Sequence, residues 1–367
     1  MLFPPASCPR LIVKIGSALL VGEDGGVRRE WLEGVVADIA DRTRAGQQVA
    51  LVSSGAIALG ARRLRLPKGG RASLEDAQAA AATGQIALAQ VWSEVLAAQG
   101  LTAAQMLVTL DDLEDRRRYL NAAATLDRLL SLGAVPVLNE NDSVATAEIR
   151  FGDNDRLAAR VAQAAGAAGV VLLSDVDGLF DRNPALPGAA HLSCVDRIDA
   201  DVMAMADTAS GSGMGSGGMT SKLLAARIAT GAGIPLAIAS GRVDRPLSAS
   251  PRHTLFTART QPAAARKAWL QGGQTARGAI HIDAGATAAL REGGSLLAIG
   301  ATRVEGRFAR GDLITVEGPT GTLARGLAEY DSAEVERLLG KRSDQHADLL
   351  GYAPRAALVH RNHLALL

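Results

Sequence analysis

The sequence predicts an α/β protein, a three-layer αβα sandwich with a mostly parallel sheet, followed by a small β-rich domain. Three observations predict it. Short apolar runs (LIVKIG, QQVALVSSG, AVPVLN, VVLLSDVDGLF and IPLAIASGR) alternate with amphipathic segments, as strands and covering helices do in a sheet buried on both faces. Each run ends in polar residues or runs straight into them, at the strand ends where open α/β sheets bind ligands. From Arg277 the texture changes to short alternating runs with glycine turns, as in GAIHIDAGATAAL and DLITVEGPTGTLARGLAEY. The expected boundaries are a first domain over 1–261, a linker over 262–276 and a β-rich module over 277–367.

Within the first strand, Lys14 is out of place, because a lysine in an apolar run needs a partner or a ligand. Trp31 to Arg44 has helical periodicity, with Gly46 as its stop. The next strand ends in Ser53, Ser54 and Gly55, and a helix begins at once. Its first backbone N–H groups attract a carboxylate or phosphate, and Ser54 is either part of that site or only a cap. Ser73 to Gln99, rich in Ala and Gln, is expected to be one long helix or two successive ones, serving as scaffold. The charged run Asp111 to Arg118 fits surface ion pairing or a subunit contact.

The most unusual stretch is NENDSVATAEIRFGDND, residues 139–155. Five Asp or Glu interleave with Asn139, Asn141 and Asn154 directly after a buried strand. Amides mixed with carboxylates suit a small ligand carrying both donors and acceptors. A helix is expected from Arg156 to Ala168, and then a strand over 170–180 that projects Ser174, Asp175 and Asp177 from its end. The helical segment IDADVMAMADTAS feeds the glycine loop GSGMGSGGMTSK. Gly213, Gly215 and Gly218 have GxGxxG spacing, but a helix rather than a strand precedes them and no acidic residue follows at the required distance. The loop instead opens a helix with Lys222 in its first turns, where backbone N–H groups and one ammonium can hold phosphate oxygens. After the strand over 234–242, the segment PLSASPRHTLFTARTQPAAARKAWLQGGQT has no strong period.

Composition narrows the function classes. The 367 residues carry 39 basic and 38 acidic side chains, a formal charge of +1, which gives no global field for steering onto nucleic acid or acidic membranes. The C-terminal module, with 11 Lys or Arg against 11 Asp or Glu from Arg277 onward, lacks the basic excess of a dedicated nucleic-acid binder. Two cysteines, Cys8 and Cys194, are too few for a disulfide framework and are expected as free thiols. The sequence shows neither an apolar signal region nor an uncharged apolar run of membrane-spanning length, so a cytoplasmic location is expected, with no membrane contact.

Lys14 in IVKIG, Ser54 in SSGAIALG, the 139–155 block, Ser174 and Asp175 in LLSDVDGLF, and SGGMTSK at 216–222 occur in one order. In that order they resemble the glutamate 5-kinase family of the amino acid kinase superfamily. The resemblance spans nearly the whole chain, and the C-terminal module looks like a PUA domain. It implies the amino acid kinase fold and ATP-dependent phosphorylation of the side-chain carboxylate of L-glutamate to L-glutamyl 5-phosphate, the first step of proline biosynthesis. Lys14 and Lys222 are then expected on the ATP phosphates, with Asp155 ordering both, as the catalytic set. Ser174, Asp175, Ser216, Gly217, Gly218, Met219, Thr220, Ser221 and Lys222 are expected to form the nucleotide site with Lys14, and Ser54, Asp142 and Asn154 to bind glutamate.

Mg²⁺ is implied with ATP, without assigned metal ligands. Proline is implied as a feedback inhibitor, and a homo-oligomer, dimer or tetramer, as the assembly. The chain departs from the family pattern at Ser174 and Ser216, where threonine is expected, and both keep a hydroxyl. Arg150 stands where lysine also occurs in the family.

The implied chemistry agrees with the residues. A substrate carboxylate with a reference pKa of about 4.3 is already ionised at neutral pH, so no general base is required. The rival readings are another amino acid kinase, acting on an acetylated glutamate or on carbamate, and an RNA-binding protein working through the PUA-like module. The acidic block around Asp142 favours a substrate with a free ammonium group.

Overall fold

The structure is a computed structural model, and it describes residues 1–22, 25–144, 153–208, 218–260, 275–352 and 354–367. Contacts divide the chain into two units, Met1–Glu114 with Ala122–Thr260, and Asp115–Asn121 with Gln261–Leu367.

The first unit is built on an eight-stranded sheet. Its strands are β1 (Arg10–Ile15), β2 (Gln48–Ser53), β3 (Ala103–Val108), β4 (Val135–Glu140), β5 (Gly169–Ser174), β6 (Cys194–Val195), β7 (Leu236–Ser240) and β8 (His253–Phe256). Across the sheet they run in the order β3-β4-β2-β1-β5-β7-β8-β6. The six strands from β3 to β7 pair in parallel, as the alternation of strand and helix patterns predicts. β8 pairs antiparallel to β7. This strand falls in the segment expected to lack a period, and it is too short to declare one. Only Thr254 and Phe256 of its four residues turn fully inward.

From β1 the chain passes to β2 on one side and, later, to β5 on the other, so the topological switch point lies between β1 and β5. Both faces are covered by helices, which explains why the central strands read as continuous apolar runs. On one face α1 (Arg29–Arg44) and α3 (Leu74–Ala97) contribute Trp31, Leu32, Val35, Leu88 and Trp92 to a core with Leu11, Val13 and Ile15. On the other, α4 (Asn154–Ala165) and α5 (Met219–Gly231) contribute Leu157, Val161, Leu223 and Ala226 to a core with Ile12, Val170 and Leu172. Ser73–Gln99 forms the single helix α3, capped by Ser73 accepting from the Asp76 N–H. The strand expected over 170–180 ends at Ser174, and Leu179–Phe180 pairs separately with His191–Leu192.

The helix following β2, α2 (Ala56–Leu64), crosses α3 at glycines. A Cβ on Gly60 would lie 1.7 Å from the Ala80 carbonyl oxygen, and one on Gly84 would lie 1.8 Å from that of Ala56. The two helices therefore meet backbone to backbone, with no flexible side chain between them to yield.

The second unit carries a five-stranded sheet in the order Ala301–Gly306, Gly278–Ile282, Leu313–Gly318, Gly321–Leu327, Leu364–Leu366. Ile280, Ile314, Val316, Tyr330, Val335 and Leu358 fill its core. It is less purely β than its sequence texture predicts. Ala284–Arg291 and Ser332–Leu338 are helices, the latter opened by a capping box between Asp331 and Glu334.

The glycine contact gives a stability prediction. Gly84→Ala places a methyl group against backbone and destabilises the protein by about 2 kcal/mol or more, despite alanine's better helix propensity. Urea unfolding reads this as a lowered midpoint at an unchanged slope.

Candidate active site

Alternation along β1 explains where Lys14 goes. Leu11, Val13 and Ile15 face the α1/α3 core, so Ile12 and Lys14 face α4 and α5. On that face the two helices supply its partners. Lys14 Nζ lies 2.6 Å from Asp155 Oδ1, and Lys222 Nζ lies 3.1 Å from Asp155 Oδ2. Lys14 and Lys222 are each 6% exposed and Asp155 is 1% exposed. The result is a buried group of three charges with a net charge of +1.

Burial drives the pKa of Lys14 down, and the Asp155 carboxylate opposes that shift. For Asp155, burial alone would push the carboxyl up, but the two ammonium groups outweigh it and hold the value below the usual range. Asp155 also sits in the first turn of α4, where the helix dipole favours a negative charge. The residue just before the helix, Asp153, caps it by accepting from the Arg156 N–H and also accepts from the Ser221 hydroxyl, which ties the starts of α4 and α5 together.

Asn154 turns the other way. Its Nδ2 donates to Ser54 Oγ at 2.9 Å, to Asn139 Oδ1 at 3.0 Å and to the Ser53 carbonyl at 3.3 Å. Ser54 is therefore not a helix cap. Gly55 holds that position in the left-handed conformation (φ 114°) that favours glycine, with no side-chain cap. Trp92 donates from Nε1 to Ser53 Oγ at 2.9 Å and fixes the end of β2. Asn139 in turn donates from Nδ2 to Gln85 Oε1 at 2.7 Å.

Beyond the end of β4 a cavity of about 250 Å³ is lined by Gln85, Gln105, Glu140, Asn141, Asp142 and Ser143, with apolar residues of α3. Asp142 is buried, and among the described residues its Oδ1 has no hydrogen-bond partner. Burial pushes its carboxyl up to about 6, against a pull downward from Arg71.

On the nucleotide side, Ser174 ends β5 and its hydroxyl donates to Asp175 Oδ1 at 3.1 Å. Gly218 caps α5, and Met219, Thr220, Ser221 and Lys222 form its first turn. Ser216 and Gly217, like Arg150 and the glycines Gly213 and Gly215, lie outside the described residues. The structure thus brings together Lys14, Asp155 and Lys222 in one cluster and Ser54 and Asn154 in a second, joined through consecutive residues of α4. Sequence reasoning missed Gln85 and the cap Asp153. Gln85 was hidden in an Ala- and Gln-rich helix expected to be scaffold, and the one available signal is its polar side chain among alanines.

Comparison with known proteins agrees with this architecture. Residues 9–240 match the amino acid kinase family, and residues 278–350 match the PUA domain. The chain belongs to the amino acid kinase family. Within it the relatives are specific. The chain is 71% identical to the glutamate 5-kinase of Sphingopyxis alaskensis over 367 residues, all of both chains. It is 62% identical to that of Novosphingobium aromaticivorans over 366 residues, 99% of this chain and 97% of the relative. Its place is in the glutamate 5-kinase branch of the family. Among solved structures, UMP kinase from Bacillus anthracis aligns with 69% of this chain and 97% of its own at 15% identity, with a TM-score of 0.46.

Asp142 gives a prediction with a definite sign. Its folded value of about 6 lies above the ordinary 3.8, so its ionisation opposes folding as pH rises through that window and its cost is complete above pH 6. Asp142→Asn therefore stabilises the protein by about 1–3 kcal/mol at pH 8. The gain shrinks as pH falls toward 3.8, and urea midpoints at pH 4.5 and pH 8 measure the difference.

Proposed function

We propose that the chain transfers the γ-phosphoryl group of ATP to the side-chain carboxylate of L-glutamate, giving L-glutamyl 5-phosphate, the first step of proline biosynthesis. The observation that carries this reading is the buried Lys14–Asp155–Lys222 group. Two buried ammonium groups at the switch point of a parallel sheet are complementary to a polyphosphate. The identity of the relatives over the whole chain favours free glutamate over an acetylated glutamate or carbamate.

The reaction needs in-line placement of two anions and stabilisation of charge on the moving phosphoryl group. Lys14 and Lys222 neutralise that charge, and Asp155 aims both ammonium groups. The first N–H groups of α5, after Gly218, add fixed donors at a helix N-terminus. Ser174 and Asp175, with Met219, Thr220 and Ser221, border the nucleotide. Ser54, Asn154 and Asp142 hold glutamate, with Asp142 facing its ammonium group.

No group of three or more His, Cys, Asp or Glu able to hold a metal ion occurs among the described residues. We assign Mg²⁺ to the incoming nucleotide, whose oxygens and water supply its ligands. No helix among the described residues is long and apolar enough to cross a membrane, and a cytoplasmic location fits a biosynthetic kinase. Feedback inhibition by proline at the glutamate pocket and a homo-oligomeric assembly belong to the same reading. The PUA-like module from Arg277 onward, balanced in charge, is not assigned to nucleic acid.

The test is ATP turnover with Mg²⁺ and L-glutamate, with hydroxylamine present to trap an acyl phosphate as hydroxamate. Hydroxamate that requires L-glutamate is the expected result. Background hydroxamate with L-glutamate, alongside turnover of N-acetyl-L-glutamate, overturns the substrate. In the same assay Lys222→Ala lowers kcat by about 10²–10³-fold and raises the KM for glutamate little, because its contact strengthens as phosphoryl charge develops. A variant with full kcat and weakened ATP binding contradicts that role.

A further inference from the structure

Resting on this reading of the site, we propose that Gln85 of α3 is a positioning residue that fixes the amide of Asn154, through Asn139, with its oxygen free to receive the substrate's ammonium group.

The direction of the hydrogen bonds follows from one atom that has no choice. The Ser53 carbonyl can only accept, so the Asn154 atom facing it at 3.3 Å is the amide nitrogen. That nitrogen also meets Asn139 at 3.0 Å, so Asn139 presents its oxygen there. Asn139 is left with its nitrogen pointing at Gln85, 2.7 Å away, and Gln85 must end the series with an acceptor. The polarity thus runs from the end of β2 to the middle of α3.

At its other end the series leaves one group unused. Asn154 Oδ1 is buried and has no hydrogen-bond partner among the described residues. A buried acceptor without a donor is costly, and a ligand donor removes the cost. Asp142, the second buried acceptor without a partner on its Oδ1, follows β4, the strand that carries Asn139. Two such acceptors suit an ammonium group, which has three donors and no acceptor. Gln85 itself lines the cavity that Asp142 borders.

Gln85 is therefore needed as an acceptor. Three substitutions separate that from packing: Gln85→Glu keeps an acceptor, Gln85→Met keeps the size and removes it, and Gln85→Lys sets a donor against a donor. The readouts are the KM for L-glutamate in the hydroxamate assay, inhibition by glutarate, which has both carboxylates and no ammonium group, and the KM for ATP.

Gln85→Met is expected to raise the KM for L-glutamate about tenfold and Gln85→Lys further, with Gln85→Glu restoring it to within about threefold of the unsubstituted chain. Glutarate inhibition, kcat and the KM for ATP then change by less than about threefold in Gln85→Met. Equal KM values for glutamate in all three variants overturn the proposal. So does a parallel loss of glutamate, glutarate and ATP binding, which marks displacement of α3. Failure of the underlying functional reading shows separately, as absence of glutamate-dependent hydroxamate in the unsubstituted chain.

Discussion

Everything at the site depends on one carboxylate holding two ammonium groups away from water. Asp155 is a single buried carboxylate facing Lys14 from β1 and Lys222 from α5, with one oxygen toward each. A protein that only needed stability would do better with apolar side chains at these three positions. Under the proposed assignment the two ammonium groups face an anionic substrate, and the sheet supplies the rigid frame that holds them. Lys14 lies between Val13 and Ile15 in register with β2 and β5 on its two sides.

A second buried carboxylate lies twelve residues before the start of α4. Asp142 is buried without enough partners, and its proton affinity rises accordingly. Under the proposed assignment the two clusters answer the two ends of the reaction, ammonium groups for phosphate and buried acceptors for an ammonium group. Both are places where the fold gives up stability for binding.

Much of this was legible in the sequence because the chemistry breaks the local pattern. Lys14 interrupts an apolar strand, and the block from Asn139 to Asp155 is too polar for what precedes it. The alternation of strands and helices likewise prescribes a parallel sheet. What escaped detection had no pattern to break. Gln85 is one polar residue in a long helix whose other face is ordinary scaffold, and its partner Asn139 is 54 positions away in sequence. β8 carries no such signal because four residues of a strand cannot declare a period. That Ser54 is not a cap could not be read from its neighbours either, since its hydroxyl is engaged by Asn154, 100 residues further on.

Asn154 and Asp155 are consecutive, and the turn of the helix alone, about 100° per residue, sends one toward Ser54 and the other toward the lysines. The first turn of α4 therefore tolerates point changes far better than changes of length. A single codon lost or gained there would swing each side chain out of its own neighbourhood and into the other's, so gene lineages of this kind should vary at α4 by substitution and keep its opening free of insertions and deletions.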